Sequence, residues 1–166
     1  MYLMPTSFYI KKYKKAQKDQ NDTSLTNDQL KKAYCCRVSA IWALISKGEK
    51  SIPFALELLH SKSQEEKEDA AGILGELGKN DDVIDSLIMQ LDAKCTVQVK
   101  DTIIIALGNL KSKKALKKLK QMLLDPEMDG DSKYTAAESV GKIIKCNILK
   151  KDDPITYAID WLNSNV

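Results

Sequence analysis

Residues 69–91 read DAAGILGELGKNDDVIDSLIMQL, and the rest of the chain is organised around this stretch. Apolar residues recur at helical spacing from Ala70 to Leu77 and again from Val83 to Leu91. Gly78 stands where a helix C-cap favours a residue that can adopt a positive φ. The stretch therefore predicts two short helices joined by a tight turn. The second helix is expected to begin after one of three polar N-caps: Asn80, Asp81 or Asp82.

The same unit returns with a period of 33 residues, which separates Gly75 from Gly108 and Gly108 from Gly141. Repetition at this period is typical of a helical solenoid. Each glycine lies inside a helix, where it costs about 1 kcal/mol relative to alanine, so we expect it to allow close approach of a neighbouring helix. One period before Gly75 the chain has Trp42. The first repeat is therefore degenerate, as terminal repeats often are.

The pattern predicts four antiparallel helix pairs preceded by an N-terminal helix. Outside residues 69–91, the expected helices are 6–18, 28–47, 52–60, 97–110, 113–124, 132–145 and 154–163. Thr6 or Ser7 is expected to cap the first helix, and Asp153 the last. The helix at 132–145 is expected to begin after Asp131 or Ser132. We divide the chain into residues 1–27, a helix and connector that dock on the first repeat, and residues 28–166, the repeat domain.

The motif AAGILGELG at residues 70–78 resembles the first helix of the bacterial HEAT-like repeat, whose core reads Ala-Ala-x-x-Leu-Gly-x-Leu-Gly. Residues 105–110 and 136–143 match this core less completely, and the resemblance covers roughly residues 38–162. It implies an all-α, right-handed α-solenoid of about four HEAT-like helix pairs plus the N-terminal helix. Proteins with this repeat act as scaffolds, as lyases that attach bilins to proteins, or as hydroxylases. The resemblance therefore predicts the fold and leaves the function open.

The charge of the chain is banded, although its net value is only +3. Residues 1–34 carry seven lysines and three aspartates, residues 35–92 carry six basic and eleven acidic side chains, and residues 93–166 carry thirteen basic and nine acidic ones. Such a profile favours selective contacts steered by charge over a uniform grip on a polyanion. Arg37 is the single arginine, so bidentate readout of phosphates or bases has little support.

The second helices of successive pairs usually line the concave side of such a solenoid, and they carry the candidate partner-binding residues. Acidic residues and one exposed methionine are expected on the second helix of the second repeat: Asp82, Asp85 and Met89. Lysines are expected beside them on the third repeat: Lys113, Lys114, Lys117 and Lys120. A solvated face, an acidic protein partner and nucleic acid are the alternatives for the lysine run. Tyr157 and Trp161, spaced i and i+4, either close the end of the core or offer an aromatic anchor.

No pattern for catalysis or metal binding is complete. His60 is the single histidine, and no Ser-His-Asp set, Cys-His pair or phosphate-loop motif is present. Residues 125–131 begin like a calcium-binding loop, but Ala136 stands where the bidentate glutamate would be needed. We therefore expect no enzyme activity, no metal and no cofactor.

The interpretation that follows is a non-catalytic module that binds a protein partner through its second-helix surface, as an adaptor or as a neutralising partner. The alternatives are a lyase-like or accessory subunit of a cofactor-attachment enzyme, and nucleic-acid binding through the lysine-rich third repeat. The sequence lacks an apolar run long enough to span a bilayer, and its first five residues do not resemble a secretory signal. Four cysteines without a Cys-x-x-Cys spacing favour a reduced, cytoplasmic setting, and we expect a monomer.

Overall fold

The computed structural model describes residues 4–166, and these residues form nine α-helices and no β-strand. Residues 1–3 belong to the N-terminal unit and to the segment compared with a secretory signal, and they lie outside the described residues. The helices are α1 (Thr6–Gln20), α2 (Asn27–Ser46), α3 (Ile52–Leu59), α4 (Gln64–Leu77), α5 (Asp81–Asp92), α6 (Val97–Asn109), α7 (Leu116–Leu124), α8 (Gly130–Ile144) and α9 (Pro154–Asn165).

Most helices begin at a polar residue whose side chain accepts a hydrogen bond from the first turn. Thr26 and Gln29 form a reciprocal capping box at the start of α2, and Asn80 caps α5. Asp153 caps α9, as the sequence predicts. Two expected caps are wrong. α1 follows Pro5 without a side-chain cap, and α8 is capped by Asp129, which accepts from the Ser132 amide at 2.9 Å, so this helix begins earlier than predicted.

The turns after the first helices differ from the expectation. Gly78 has φ −84°, so the predicted positive φ is wrong there. A Cβ at this position would lie 2.8 Å from the Leu74 carbonyl oxygen and would overlap the Val83 side chain. Glycine is therefore required at residue 78 because there is no room for a Cβ atom. The left-handed backbone occurs instead at Gly48 (φ 62°), which follows α2, and at Lys111 (φ 53°) and Lys145 (φ 59°), which follow α6 and α8.

The 33-residue period carries the core of the first helices. Leu74, Leu107 and Val140 occupy equivalent positions in α4, α6 and α8, and all three are fully buried. The second helices follow a different spacing, because Leu87 in α5 corresponds to Leu119 in α7, 32 residues later. The predicted helix at 113–124 is also split, since residues 113–115 form a 3₁₀ turn before α7.

Gly75 and Gly108 allow the first helices to stack closely, as the sequence predicts. A Cβ on Gly75 would lie 2.8 Å from the Ala106 Cβ, so α4 packs directly on α6. A Cβ on Gly108 would lie 2.8 Å from the Ser139 Cβ, so α6 packs in the same way on α8. For Gly141 the prediction of a neighbouring helix is wrong, because this residue faces the loop after α8, where a Cβ would lie 2.8 Å from the Cys146 carbonyl oxygen. α4, α6 and α8 thus form one row, and the fold is the predicted all-α solenoid.

The first pair departs from this plan. Trp42 stands one 33-residue period before Gly75, but it is 58% exposed whereas Gly75 is buried, so the period does not carry the glycine contact into α2. α2 packs chiefly along α1, whereas α3 packs against α4. Tyr13 of α1 is fully buried and meets the Phe54 ring of α3 edge to face, with the ring centroids 5.7 Å apart.

Candidate partner-binding surface

The acidic residues of α5 are linked to the lysines of the next repeat. The Lys114 ammonium lies 3.3 Å from an Asp81 carboxylate oxygen and 3.2 Å from one of Asp85. The hydrogen bonds to Asp85 are the main reason why the pKa of Lys114 is raised above its ordinary value. Lys118 forms an ion pair with Asp92 farther along α5. The change of charge sign between these repeats therefore serves, in part, to hold α5 against the following repeat.

Three other predicted charges remain available on this face. Asp82, Lys113 and Lys117 are exposed, and none of them makes an ion pair within residues 4–166. Asp85 corresponds to Lys117 at the 32-residue spacing of the second helices, so the same place on successive helices changes sign. A partner that approaches along α5 and α7 therefore meets first a negative and then a positive charge.

Met89 is the exposed apolar residue of α5. Its side chain is 60% exposed, and residues three and four positions away, such as Asp85 and Asp92, share its side of the helix. The corresponding position on α7 is Gln121, which is exposed and polar. Met89 thus offers adaptable apolar area beside the paired carboxylates.

The structure brings Lys113 and Trp161 together. Both line a groove of about 520 Å³ between the start of α7, the end of α8 and the end of α9. Its other lining residues are mainly apolar and include Leu116, Ile143 and Ile144. The two places that the sequence suggests separately, the lysine-rich helix and the aromatic end, therefore meet in one concave site, which we call the Trp161 groove.

Two predicted residues lie apart from this groove. Lys120 is half-buried, and its ammonium donates to the Leu162 carbonyl oxygen at 3.2 Å, so it joins α7 to α9. The Tyr157 hydroxyl lies 3.8 Å from the Cys146 sulfur, and the Lys151 ammonium lies 4.6 Å from the centre of the Tyr157 ring. Tyr157 also packs against the core. These contacts place Lys120 and Tyr157 in roles within the fold.

Sequence reasoning missed a buried polar cluster at the other end of the molecule. Arg37 contacts Asp69 at 3.2 Å and Glu65 at 2.7 Å, with only 8% of its own side chain exposed. Asp69 also accepts a 2.7 Å hydrogen bond from the buried Tyr13 hydroxyl, and Gln17 donates to Glu65 at 2.7 Å. The cluster joins α1, α2 and α4. A single arginine in a chain whose other cations are lysines is the signal that points to it.

The histidine and the acidic loop have local structural roles. The His60 Nδ1 atom lies 3.2 Å from the Gln90 amide nitrogen. In the acidic loop, Asp125 accepts from the Glu127 amide at 2.9 Å, and Asp129 caps α8. Within the described residues, no group of three or more His, Cys, Asp or Glu side chains is placed to hold a metal ion.

The stacked helix pairs define the class of the protein as an α-solenoid built from helical repeats. Comparison with known families matches residues 52–141 to HEAT repeats. This segment is more than half of the chain, and the protein therefore belongs to the HEAT repeat family. HEAT repeats are generally protein-interaction scaffolds and typically non-catalytic. No curated protein matches the sequence. In the part of the chain that the structure describes, none of the helices has the length and apolar character needed to cross a membrane.

Proposed function

We propose that this protein is a non-catalytic interaction module that binds a protein partner through the surface formed by α5, α7 and α9, as an adaptor or as a neutralising partner. The observation that supports this proposal is the Trp161 groove, where Lys113 and an aromatic side chain line the same concavity. Trp161 is half-buried against the core, which holds its ring in place. A fixed aromatic ring in a groove is a frequent centre of binding energy in protein interfaces.

The charges around the groove indicate the chemistry of the surface that the proposed partner presents. Lys113 and Lys145 line the groove together with its apolar residues, and the exposed Lys117 lies one helical turn from Lys113, so the proposed partner presents carboxylates around an apolar side chain. Asp82 on α5 adds a negative charge farther along the same face. The four cysteines are free thiols, which supports a reduced, cytoplasmic setting for the proposed complex.

Charge reversal tests the proposed surface. After a partner is isolated by affinity capture and mass spectrometry, surface plasmon resonance compares the parent with Lys113→Glu combined with Lys117→Glu. We expect slower association and a flatter salt dependence, because exposed charges at an interface act mainly on encounter. Circular dichroism should stay unchanged. The control, Lys11→Glu combined with Lys31→Glu, makes the same change of charge at exposed sites on α1 and α2.

Truncation of the apolar contact gives a separate test. Met89→Ala should leave association unchanged and accelerate dissociation. The apolar contact of Met89 forms only when the two proteins have docked, so its loss shortens the lifetime of the complex. Parent-like kinetics in both the charge-reversed protein and Met89→Ala would contradict the proposal. Binding that falls steeply with salt on duplex DNA of any sequence would indicate a nucleic-acid protein instead.

A further inference from the structure

A second groove, of about 630 Å³, lies between α1 and α2. Its floor includes Ala16 and Ala33, which are 3% and 6% exposed, and Phe8 and Leu25 also line it. Because alanine side chains end at Cβ, the two helices leave a channel between their larger side chains. Lining residues on α1 run from Phe8 to Asp19, which corresponds to about 16 Å of helix, or three turns. We call this feature the N-terminal groove.

The edges of the N-terminal groove are basic. Lys12, Lys15 and Lys32 line it, and Asp19 is the single acidic residue that lines it in the described part of the chain. None of the three lysines forms an ion pair within residues 4–166, and Lys12 makes only a 3.4 Å hydrogen bond to the Ser39 hydroxyl. On the opposite end of the molecule, by contrast, Lys114 and Lys118 are neutralised by carboxylates of the same chain. The positive charge at the N-terminal groove is therefore left for a partner.

We propose that the N-terminal groove binds an acidic amphipathic helix of a partner protein. An apolar stripe at i, i+3, i+4 and i+7 on such a helix fits the channel, because a helix packs by placing its side-chain ridge in the groove between two others. Glutamates or aspartates on both sides of the stripe then face Lys12, Lys15 and Lys32. This site shares no residue with the Trp161 groove, so it adds a second surface and does not depend on the first.

Other anionic partners fit the groove less well. Binding to single-stranded nucleic acid generally combines a positive groove with aromatic side chains on which bases stack, whereas among residues 4–166 the floor here is mainly aliphatic, with Phe8 as its one aromatic ring. A flat anionic membrane would contact the lysines and leave the recessed Ala16 and Ala33 unfilled. An acidic helix satisfies both the charge of the edges and the apolar floor.

Two peptides of identical composition test the proposal. The first, of roughly 15 residues, places leucines in one helical stripe and glutamates around it; the second distributes the same leucines around the helix. Fluorescence anisotropy with the labelled peptides measures binding to the full-length protein. We expect the striped peptide to bind at least about tenfold more tightly than the scattered one, and its affinity to fall with added salt. Equal affinities for the two peptides would overturn the proposal.

Substitutions then locate the binding site. Lys15→Glu combined with Lys32→Glu should weaken binding of the striped peptide about tenfold or more. The control pair, Lys11→Glu with Lys31→Glu, changes the same charge on the same two helices outside the groove and should stay within about twofold of the parent. Lys113→Glu with Lys117→Glu should also leave this affinity unchanged, which separates the N-terminal groove from the Trp161 groove. Loss of binding in either control pair, or none in the groove pair, would overturn the assignment.

The alkylation rates of two adjacent cysteines give a second test of the binding site. Cys36 lines the groove and Cys35, its neighbour, is exposed outside it. In variants that retain one of these two thiols, the striped peptide should slow alkylation of Cys36 several-fold and leave Cys35 unaffected. Protection of Cys36 by phosphatidylserine vesicles or by single-stranded DNA, but not by the peptide, would assign the groove to those partners. Self-association abolished by the Lys15 and Lys32 reversal would assign it to a second copy of the chain. Each of these results would overturn the proposal.

Discussion

The two ends of this solenoid are held together by different physical means. In the periodic part, α4, α6 and α8 approach so closely that a Cβ on Gly75 or Gly108 would meet the next helix at 2.8 Å or less. In the first pair, Trp42 stands one period before Gly75 and is 58% exposed, so the glycine contact has no counterpart there. α2 is covered by α1 instead, and the buried cluster of Arg37 and Asp69 joins these helices to α4.

This contrast shows how a repeat array can end. A glycine contact can be copied from one repeat to the next, because each first helix presents the same small surface. α2 belongs to the first repeat, so no preceding repeat covers it. Its neighbour must therefore be specified in another way. Buried charges need their partners, and removal of one partner leaves the other uncompensated. The cluster of Tyr13, Arg37 and Asp69 therefore favours one position of α1 on the array.

Among the changes that test this comparison, removal of α1 should have the largest effect on stability. Deletion of residues 1–20 removes Tyr9 and Tyr13 from the core and leaves Asp69 without its phenol donor. We expect the free energy of unfolding to fall by about 4 kcal/mol or more, at roughly 2 kcal/mol for each buried tyrosine, or the truncated protein to self-associate through the uncovered surface. Urea denaturation and size-exclusion chromatography measure both. An unchanged melting temperature in a monodisperse protein would refute the predicted docking of residues 1–27.

The next largest effect should come from the periodic side. In Gly108→Leu, the new side chain must displace Ser139, whose Oγ and Cα would lie 2.7 and 2.9 Å from the added Cβ. Because the obstacle includes backbone, the helices must separate, and we expect a loss of about 1–3 kcal/mol or more in a thermal melt. A variant as stable as the parent would show that α6 and α8 are not in close contact.

The sequence predicts the periodic part well because its signals are local. The helical spacing of the apolar residues lies within single repeats, the glycine interval links neighbouring repeats, and Gly75 and Gly108 behave as expected. Two features could not be predicted because they depend on how helices meet in space. One is the ion pair between Lys114 and Asp85. Helical spacing predicts only that the two side chains lie on the same face of the solenoid. The other is the burial of Arg37, a charged residue in a helix that would otherwise turn it to solvent.

The polar cluster also predicts a pH dependence. Burial raises the pKa of Asp69 to about 6, against the opposing effects of the Tyr13 hydrogen bond and the Arg37 charge. In the unfolded chain an aspartate has a pKa of about 3.9, so between about pH 4 and pH 6 the folded protein binds more protons than the unfolded one. The contribution of Asp69 to stability is therefore present at low pH and is lost as the pH rises to about 6.

Asp69→Asn tests this sign. The variant lacks the carboxyl group, so its free energy of unfolding should fall less between pH 4 and pH 6 than that of the parent, by about 1–3 kcal/mol, since one pKa unit corresponds to about 1.4 kcal/mol. Urea titrations at several pH values provide the curves. Parallel curves for the two proteins would mean that Asp69 titrates alike in both states. Glu68→Gln, on the same helix, is the control for a general change of charge.

The smallest expected effect comes from alanine substitutions at two glycines of the same helix. Their comparison distinguishes the effect of close packing from the effect of helix propensity. Gly72 and Gly75 both lie in α4, but a Cβ on Gly72 would meet nothing within 4 Å, whereas one on Gly75 would lie 2.8 Å from Ala106. Gly72→Ala should therefore stabilise the protein by about 0.5–1 kcal/mol, because alanine restricts the unfolded chain and favours the helix. Gly75→Ala should destabilise it, since the same gain is outweighed by the displaced helix. Urea denaturation of the two variants gives the comparison directly. If both substitutions destabilise the protein equally, close packing is not what distinguishes the periodic glycines, and the contrast between the periodic part and the first pair loses its physical basis.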